Sequence, residues 1–203
     1  MQKRISFILS ILWIATSCHQ SSHQKFVVLV SDTSKTLFHF DELDFIKKKS
    51  ELLHLPEICN GVDSFELRIW YSGFGMGTKL INLRNVGTKW ICYETKYFSS
   101  ERLLDSSFTR SIPAPKDLNQ IVRYFTSDSI LNLPSQRAIP GFRDNIGDGQ
   151  RCQIEIATNS FYKLLDYHCP EHYTDTDNRK FLQTLLLLDK YFNFYFPWCK
   201  VSP

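Results

Sequence analysis

Apolar side chains recur at helical spacing in three parts of the chain. The first part covers about residues 41–53, where acidic residues precede lysines in the order that the helix dipole favours. The second follows Pro115 and places its apolar residues on one stripe. The third covers about residues 177–195, and its centre, FLQTLLLLDKYF, is apolar on most sides. These patterns predict three helices, of which the last is buried.

Elsewhere the apolar residues alternate with polar ones, as expected for half-buried strands. Three such runs follow Ser64 and are joined by turns that contain glycine: SFELRIWYS, TKLINLRNV and TKWICYETKYF. They predict an antiparallel meander with one face on the core and the other partly exposed to water. The later runs RCQIEIAT and FYKLLDYHC predict a hairpin around Asn159 and Ser160. A short apolar run, FVVLVSD, predicts either a first strand or a structured approach to the domain.

The order of these elements is typical of an α+β fold rather than of alternating βαβ units. We therefore expect an antiparallel β-sheet, formed by the three-stranded meander and the later hairpin, that packs against helices, including the buried C-terminal helix. Residues 25–203 are enough for a single globular α+β domain with its own core.

The first 17 residues have the organisation of a signal peptide. Lys3 and Arg4 precede an apolar run of about half the length needed to span a bilayer. The run ends in ATSC, which resembles the lipobox of bacterial lipoprotein precursors, although Ala15 stands where a larger aliphatic residue is usual. The resemblance implies that Cys18 is lipidated and that residues 18–24 form a polar tether. The alternatives are plain secretion and a chain that stays uncleaved or cytosolic.

The net charge gives no support for a nucleic-acid partner. The chain carries 24 lysines and arginines against 21 acidic residues, a formal charge of +3. The predicted signal peptide contains two of those bases and no acid, so the processed chain would carry 22 bases and 21 acids, or +1. A surface that follows a phosphate backbone is therefore not expected.

Six cysteines bear on processing and on disulfide formation: Cys18, Cys59, Cys92, Cys152, Cys169 and Cys199. Lipidation of Cys18 leaves an odd number, so at least one thiol stays free or bonds to another chain, whereas a secreted chain could form three disulfides. Disulfides are permitted outside the cytoplasm. Cys169 and Cys199 are the preferred pair because they flank the last predicted helix, and buried reduced cysteines are the alternative.

Three motifs contain residue types that bind ligands, but each lacks part of the required pattern. GFGMG is followed by a strand, whereas a dinucleotide-binding loop leads into a helix. YHCPEHY contains His168, Cys169, Glu171 and His172, but Pro170 interrupts the helical turn that would bring the histidines together. FRDNIGDGQ does not have the spacing of a calcium loop. We therefore predict no metal site and no cofactor.

Acidic residues on the predicted strands are the remaining candidates for catalysis. Such carboxylates could converge in a cleft and serve an envelope hydrolase, although they more often lie on the wet face of a sheet. The residues concerned are Glu66, Glu94, Glu155 and Asp166. The sequence has no Gly-x-Ser-x-Gly motif and no cysteine in a local context that marks a Cys–His pair, so no catalytic residue is assigned.

The lipobox-like segment, ELRIWY and the unit DGQRCQIEIATNSFYKLLDYHCPEHY, followed by LLLLDKYFNFY, resemble small uncharacterised lipoproteins of Bacteroidota-type bacteria. The resemblance implies no reaction. We predict a non-enzymatic envelope lipoprotein, held at the membrane by its lipid anchor, that binds an envelope protein or an extracellular ligand. The envelope hydrolase is the alternative. HQSSHQ lacks the acidic run that is often found in surface-exported members, which favours the inner face of the outer membrane or the periplasmic side over the cell surface.

Overall fold

One β-sheet runs through the described part of the protein. The computed structural model describes residues 26–29, 42–73, 77–100, 103–147 and 149–192. Within these ranges the sheet has seven strands, numbered in chain order: β1 (Val27–Leu29), β2 (Phe65–Ser72), β3 (Thr78–Val86), β4 (Lys89–Ser100), β5 (Leu103–Ser111), β6 (Arg151–Thr158) and β7 (Phe161–His168). Their order across the sheet is β1-β7-β6-β2-β3-β4-β5.

Helices pack on this sheet. Those in the described ranges are α1 (Glu42–Leu52), α2 (Leu118–Phe125), α3 (Asp128–Leu131) and α4 (Thr176–Phe192), with short 3-10 turns at Gln136–Ala138 and Pro170–His172. The predicted α+β class is therefore confirmed. None of these described helices is long and apolar enough to cross a membrane.

The sheet is mixed, so the prediction of a purely antiparallel sheet is wrong. β2, β3, β4 and β5 pair antiparallel in chain order, and β6 pairs antiparallel with both β2 and β7. β1 instead pairs parallel with β7, with Val27 opposite Phe161 and Leu29 opposite Lys163. Three residues of the short apolar run before α1 thus extend the sheet beyond the predicted hairpin.

One face of the sheet packs against α2, α3 and α4. Leu67 and Ile69 of β2 lie in this core beside Ile154 of β6. The ring of Phe181 on α4 stacks on Tyr167 of β7, with 3.8 Å between ring centroids. Each fully buried side chain of this size contributes about 1.5–3 kcal/mol, so this face supplies much of the driving force for folding.

The C-terminal helix is amphipathic rather than buried on most sides, contrary to the prediction. Asp175 accepts hydrogen bonds from the backbone N–H groups of Asp177 and Asn178 and so caps the first turn of α4. Leu185 is buried, whereas the adjacent Leu186 is 47% exposed. The run of leucines is longer than the face that contacts the sheet, so it continues onto the solvent side.

The opposite face of the sheet packs against α1 and residues 53–62. Ile46 of α1 is buried there together with Trp70, Tyr162 and Leu164. Strands β2, β6 and β7 are therefore buried on both faces. The expectation that one face of the first strands is partly exposed to water is wrong for β2, because α1 covers it.

Four sequence predictions concern residues outside the described ranges. They are the signal peptide over residues 1–17, lipidation of Cys18, the tether over residues 18–24 and the pairing of Cys169 with Cys199, whose second member lies outside. All four stay predictions.

Candidate functional site

A groove of about 870 Å³ lies between α1 and the ends of β2, β3, β4 and β5. Its volume falls within the range of about 300–1,000 Å³ that is typical of small-molecule sites. We call it the α1 groove, and its lining residues are Phe45, Lys48, Lys49, Glu51, Leu52, His54, Ser72, Thr78, Tyr97, Ser99, Leu103 and Leu104.

The α1 groove combines an apolar surface with a basic wall. Leu103 of β5 is 72% exposed, so its side chain is available for contact. The basic wall consists of Lys48, Lys49 and His54 on the α1 side, of which Lys48 and His54 are exposed. Glu51 is the one acidic residue among the described residues of the lining. An apolar ligand with an anionic end would therefore match this surface better than a cationic one.

Tyr97 forms part of the groove and is almost completely buried. Its ring contacts Trp70 edge to face, with 6.4 Å between centroids. Its hydroxyl has no hydrogen-bond partner of ordinary geometry among the described residues, although Thr78 lies opposite it on β3. Burial raises the pKa of Tyr97 to about 12, so the phenol stays neutral.

A smaller pocket of about 160 Å³ continues the α1 groove over β3, β4 and β5. His54 and Leu104 line both spaces and lie between them. In the smaller pocket, Asn82 donates a hydrogen bond to Glu66 at 3.1 Å, while its side-chain oxygen has no partner among the described residues. The surface open to a ligand thus extends towards the β5 edge of the sheet.

Lys49 connects the α1 groove to the interior. Its ammonium lies 4.6 Å from the centroid of the Phe45 ring and donates a hydrogen bond of 2.8 Å to Gln153. Burial lowers the pKa of Lys49 to about 8, and the nearby Asp166 carboxylate opposes this shift. At neutral pH the side chain is still mainly charged, so the basic wall continues below the surface.

Beneath α1 lies a set of charged side chains that we call the charged layer. Its members are Glu42, Lys49, Glu66, Arg68, Arg151, Glu155 and Asp166. Buried charges are tolerated when they are paired and hydrogen bonded. The pairing in this layer therefore decides whether its carboxylates are structural groups or reactive ones.

Arg68 is the centre of the charged layer and has no exposed surface. Its guanidinium donates to the Glu66 carboxylate at 2.8 Å, to the Ser50 hydroxyl at 3.3 Å and to the Pro56 carbonyl at 2.8 Å. The planar guanidinium suits such a divided set of acceptors. Arg68 therefore joins β2, α1 and the segment after α1.

Glu155 of β6 is enclosed by two neutral donors. Trp70 donates to one carboxylate oxygen at 2.7 Å and Tyr162 donates to the other at 2.9 Å. Burial raises the pKa of Glu155, and the Arg68 charge with the two hydrogen bonds opposes the shift. Both oxygens are thus occupied by groups of the protein itself.

Asp166 of β7 forms a two-pronged ion pair with Arg151, with contacts of 2.7 and 2.5 Å. Gln153 also donates to it at 2.9 Å. Glu42, at the start of α1, lies near this pair, and neither of its oxygens has a hydrogen-bond partner of ordinary geometry among the described residues. Burial, and then the Asp166 charge, raise the pKa of Glu42 to about 7.

The strand carboxylates proposed for catalysis are buried, so the expectation that they lie on the wet face is wrong. Glu66, Glu155 and Asp166 belong to the charged layer. Glu94 lies on the opposite face, where it pairs with Lys79 at 2.9 Å and with Arg110. None of these four acids is among the described residues that line the α1 groove.

The sequence motifs have simple places in the fold. GFGMG connects β2 to β3, as the hairpin interpretation predicts, with residues 74–76 outside the described ranges. Gly77 has φ +69°, and a β-carbon there would lie 2.8 Å from the Phe98 ring.

The other two motifs bring polar side chains together near the end of β7. In FRDNIGDGQ, Asp144 contacts the His168 ring at 3.2 Å. In YHCPEHY, Cys169, Glu171 and His172 approach one another.

Sequence patterns missed Lys49, Arg68 and Glu42 as members of one layer. The opposite charges two positions apart in ELRIW are a usable signal, because Glu66 and Arg68 must then share a face with Trp70. That signal does not show which helix covers the face.

Comparison of the chain with protein-family models, with curated proteins and with solved structures finds no match.

Proposed function

We propose that this protein is a lipid-anchored domain of the bacterial cell envelope that binds an anionic amphiphile in the α1 groove. The ligand class is a molecule with an apolar chain and a carboxylate, sulfate or phosphate end. The anchor is the lipidated Cys18 implied by the lipobox-like ATSC sequence. The alternative localisation is secretion without the lipid anchor.

The observation that carries this proposal is the composition of the α1 groove. Leu52, Leu103 and Leu104 offer an apolar surface, while Lys48 and Lys49 offer positive charge. Apolar contact would provide most of the binding free energy, at about 25 cal/mol per Å² of buried surface. The basic wall would provide the preference for an anion.

Binding is favoured over hydrolysis because of where the acids lie. A glycosidase or related hydrolase needs carboxyl groups that reach the substrate. In the charged layer, the oxygens of Glu155 accept hydrogen bonds from Trp70 and Tyr162, and Asp166 is held by Arg151. These interactions occupy the carboxylate oxygens, so we infer that both acids stabilise the fold and take no part in a reaction.

Calorimetric titration of the full chain with dodecanoate, below its micelle concentration, tests the proposal. We expect dodecanoate to bind at least about tenfold more tightly than dodecyltrimethylammonium, which corresponds to about 1.4 kcal/mol of charge preference. Equal affinity for the two amphiphiles, or no binding of either, would contradict the proposal and would leave a protein partner as the occupant to test.

Two matched pairs of variants locate the site. Lys48→Glu should weaken dodecanoate binding about fivefold or more, whereas Lys180→Glu on the opposite face should not change it. Leu103→Asp should weaken binding, whereas Leu186→Asp on α4 should not. All four positions are at least partly exposed, so the variants are expected to fold. Equal effects within a pair would place the binding elsewhere.

The lipid anchor is tested separately by fatty-acid labelling of cells that produce either the natural chain or the Cys18→Ala variant. Label is expected in the natural chain alone. Equal labelling of both chains would rule out Cys18 as the attachment point and would leave the groove proposal standing.

A further inference from the structure

The strand β7 ends in a turn that gathers three metal-binding residue types. Cys169 has a left-handed backbone conformation, with φ 43° and ψ 53°, and the 3-10 turn Pro170–His172 follows at once. Pro170 occupies the first position of this turn, where a proline is accepted because no N–H is needed there. The proline that argued against a regular helical turn therefore starts a tighter one.

This turn directs the side chains of Glu171 and His172 back to the Cys169 sulfur. One potential ligand atom from each of the three residues lies within 4.8 Å of the others. The carboxylate of Glu171 and a ring nitrogen of His172 are 3.9 Å apart. In a tetrahedral zinc site, sulfur and nitrogen ligands are separated by about 3.5 Å, so small side-chain rotations would close the set around one ion.

We propose that Cys169, Glu171 and His172 form a binding site for Zn²⁺. A thiolate, an imidazole and a carboxylate are the donors that zinc accepts, and three protein ligands leave a fourth position for water. The thiolate and the carboxylate together balance the charge of the ion. This site is independent of the α1 groove.

Neighbouring backbone holds the Cys169 sulfur in place, and solvent reaches the site from one side. Cys169 is buried, and its backbone N–H donates to the Gln150 carbonyl at 2.8 Å. A β-carbon at Gly149 would collide with the sulfur, so glycine is required beside it. The side chain of His172 is 62% exposed, so solvent reaches the site from that side.

The side chains near the sulfur are acidic, since the carboxylates of Glu171 and Asp144 both interact electrostatically with the Cys169 thiol. Zinc binds the thiolate rather than the thiol, so zinc binding should release a proton.

The predicted Cys169–Cys199 disulfide uses the same sulfur, so zinc binding and that disulfide exclude each other. The site is therefore tested in the full chain kept reduced with a phosphine. Titration with ZnCl₂ is expected to give one tight site, weakened by at least about tenfold in His172→Ala. The matched control His54→Ala removes an exposed histidine of the α1 groove and should bind zinc like the natural chain.

Cobalt substitution reports the sulfur directly. The natural chain with Co²⁺ should show a thiolate-to-cobalt charge-transfer band, which Cys169→Ser should lose. A natural chain without that band, or a His172→Ala chain with unchanged zinc affinity, would overturn the proposal. Because His172 is exposed, its variant tests the site even if Cys169→Ser does not fold.

Discussion

The Tyr162 hydroxyl donates a hydrogen bond of 2.9 Å to the carboxylate of Glu155 inside the charged layer. Tyr97, on the same face of the sheet, has an equally buried hydroxyl whose interaction with the Thr78 side chain falls outside ordinary hydrogen-bond geometry. Replacing each tyrosine by phenylalanine therefore distinguishes the contribution of a buried hydrogen bond to stability from the contribution of a buried hydroxyl alone.

Tyr162→Phe should lower the free energy of unfolding by about 1–3 kcal/mol, because Glu155 loses one of its two neutral donors. Tyr97→Phe should change it by less than about 0.5 kcal/mol or should stabilise the protein slightly. Urea denaturation at pH 7 measures both values. A similar loss in the two variants would show that the charged layer does not depend on this hydrogen bond.

Arg68→Met should destabilise the protein by about 3–5 kcal/mol, because it leaves the buried Glu66 carboxylate without its main cation. Arg84→Met is the matched control. Arg84 lies 3.7 Å from the same carboxylate, but its side chain is 51% exposed, so its removal should cost less than about 1 kcal/mol. Comparable losses in urea denaturation would contradict the central place of Arg68.

Glu42→Gln should change the pH dependence of stability. The folded-state pKa of Glu42 is about 7, above its ordinary value of 4.5, so the folded chain holds a proton that the unfolded chain releases. Its contribution to stability is complete below about pH 4.5 and is lost as the pH rises through about 7.

The glutamine variant should therefore match the natural chain near pH 4.5 and exceed its stability at pH 8 by up to about 3 kcal/mol. Thermal unfolding across this pH range measures the difference. Glu51→Gln, at an exposed position of the same helix, should follow the natural chain within about 0.5 kcal/mol. A pH-independent difference for Glu42→Gln would contradict the burial of an acid at this position.

The predicted Cys169–Cys199 disulfide can be tested by counting thiols under denaturing, non-reducing conditions. If the bond forms, Cys199→Ser removes one cysteine but releases Cys169, so the count should rise by one. A count that falls by one would show that Cys199 was already a free thiol, which would leave Cys169 available for zinc.

Local periodicity predicted the elements that lie in the middle of the fold. The alternation in β2, β6 and β7 is clear because one face of each strand carries the aliphatic core. β5 was missed because LLDSSFTRS is an exposed edge strand, held by hydrogen bonds to β4 rather than by buried side chains. The parallel pairing of β1 was missed because a three-residue run does not specify its partner.

The candidate site was harder to predict because its parts are far apart in the chain. The α1 groove combines Lys48 of α1 with Tyr97 of β4 and Leu103 of β5, which meet only after the sheet forms. The charged layer depends on which helix covers the Arg68 face. By contrast, the zinc ligands are neighbours in sequence, and only the conformation of Cys169 was needed to bring them together.

The position of β1 sets the distance between the predicted lipid and the α1 groove. β1 and β5 form opposite edges of the sheet, separated by six strand spacings, or about 29 Å. Cys18 precedes β1 by nine residues, which reach at most about 30 Å when extended. Because this reach about equals the width of the sheet, a lipid at Cys18 would let the β5 end of the groove face either the headgroups or the water, and the groove would be open to amphiphiles from both.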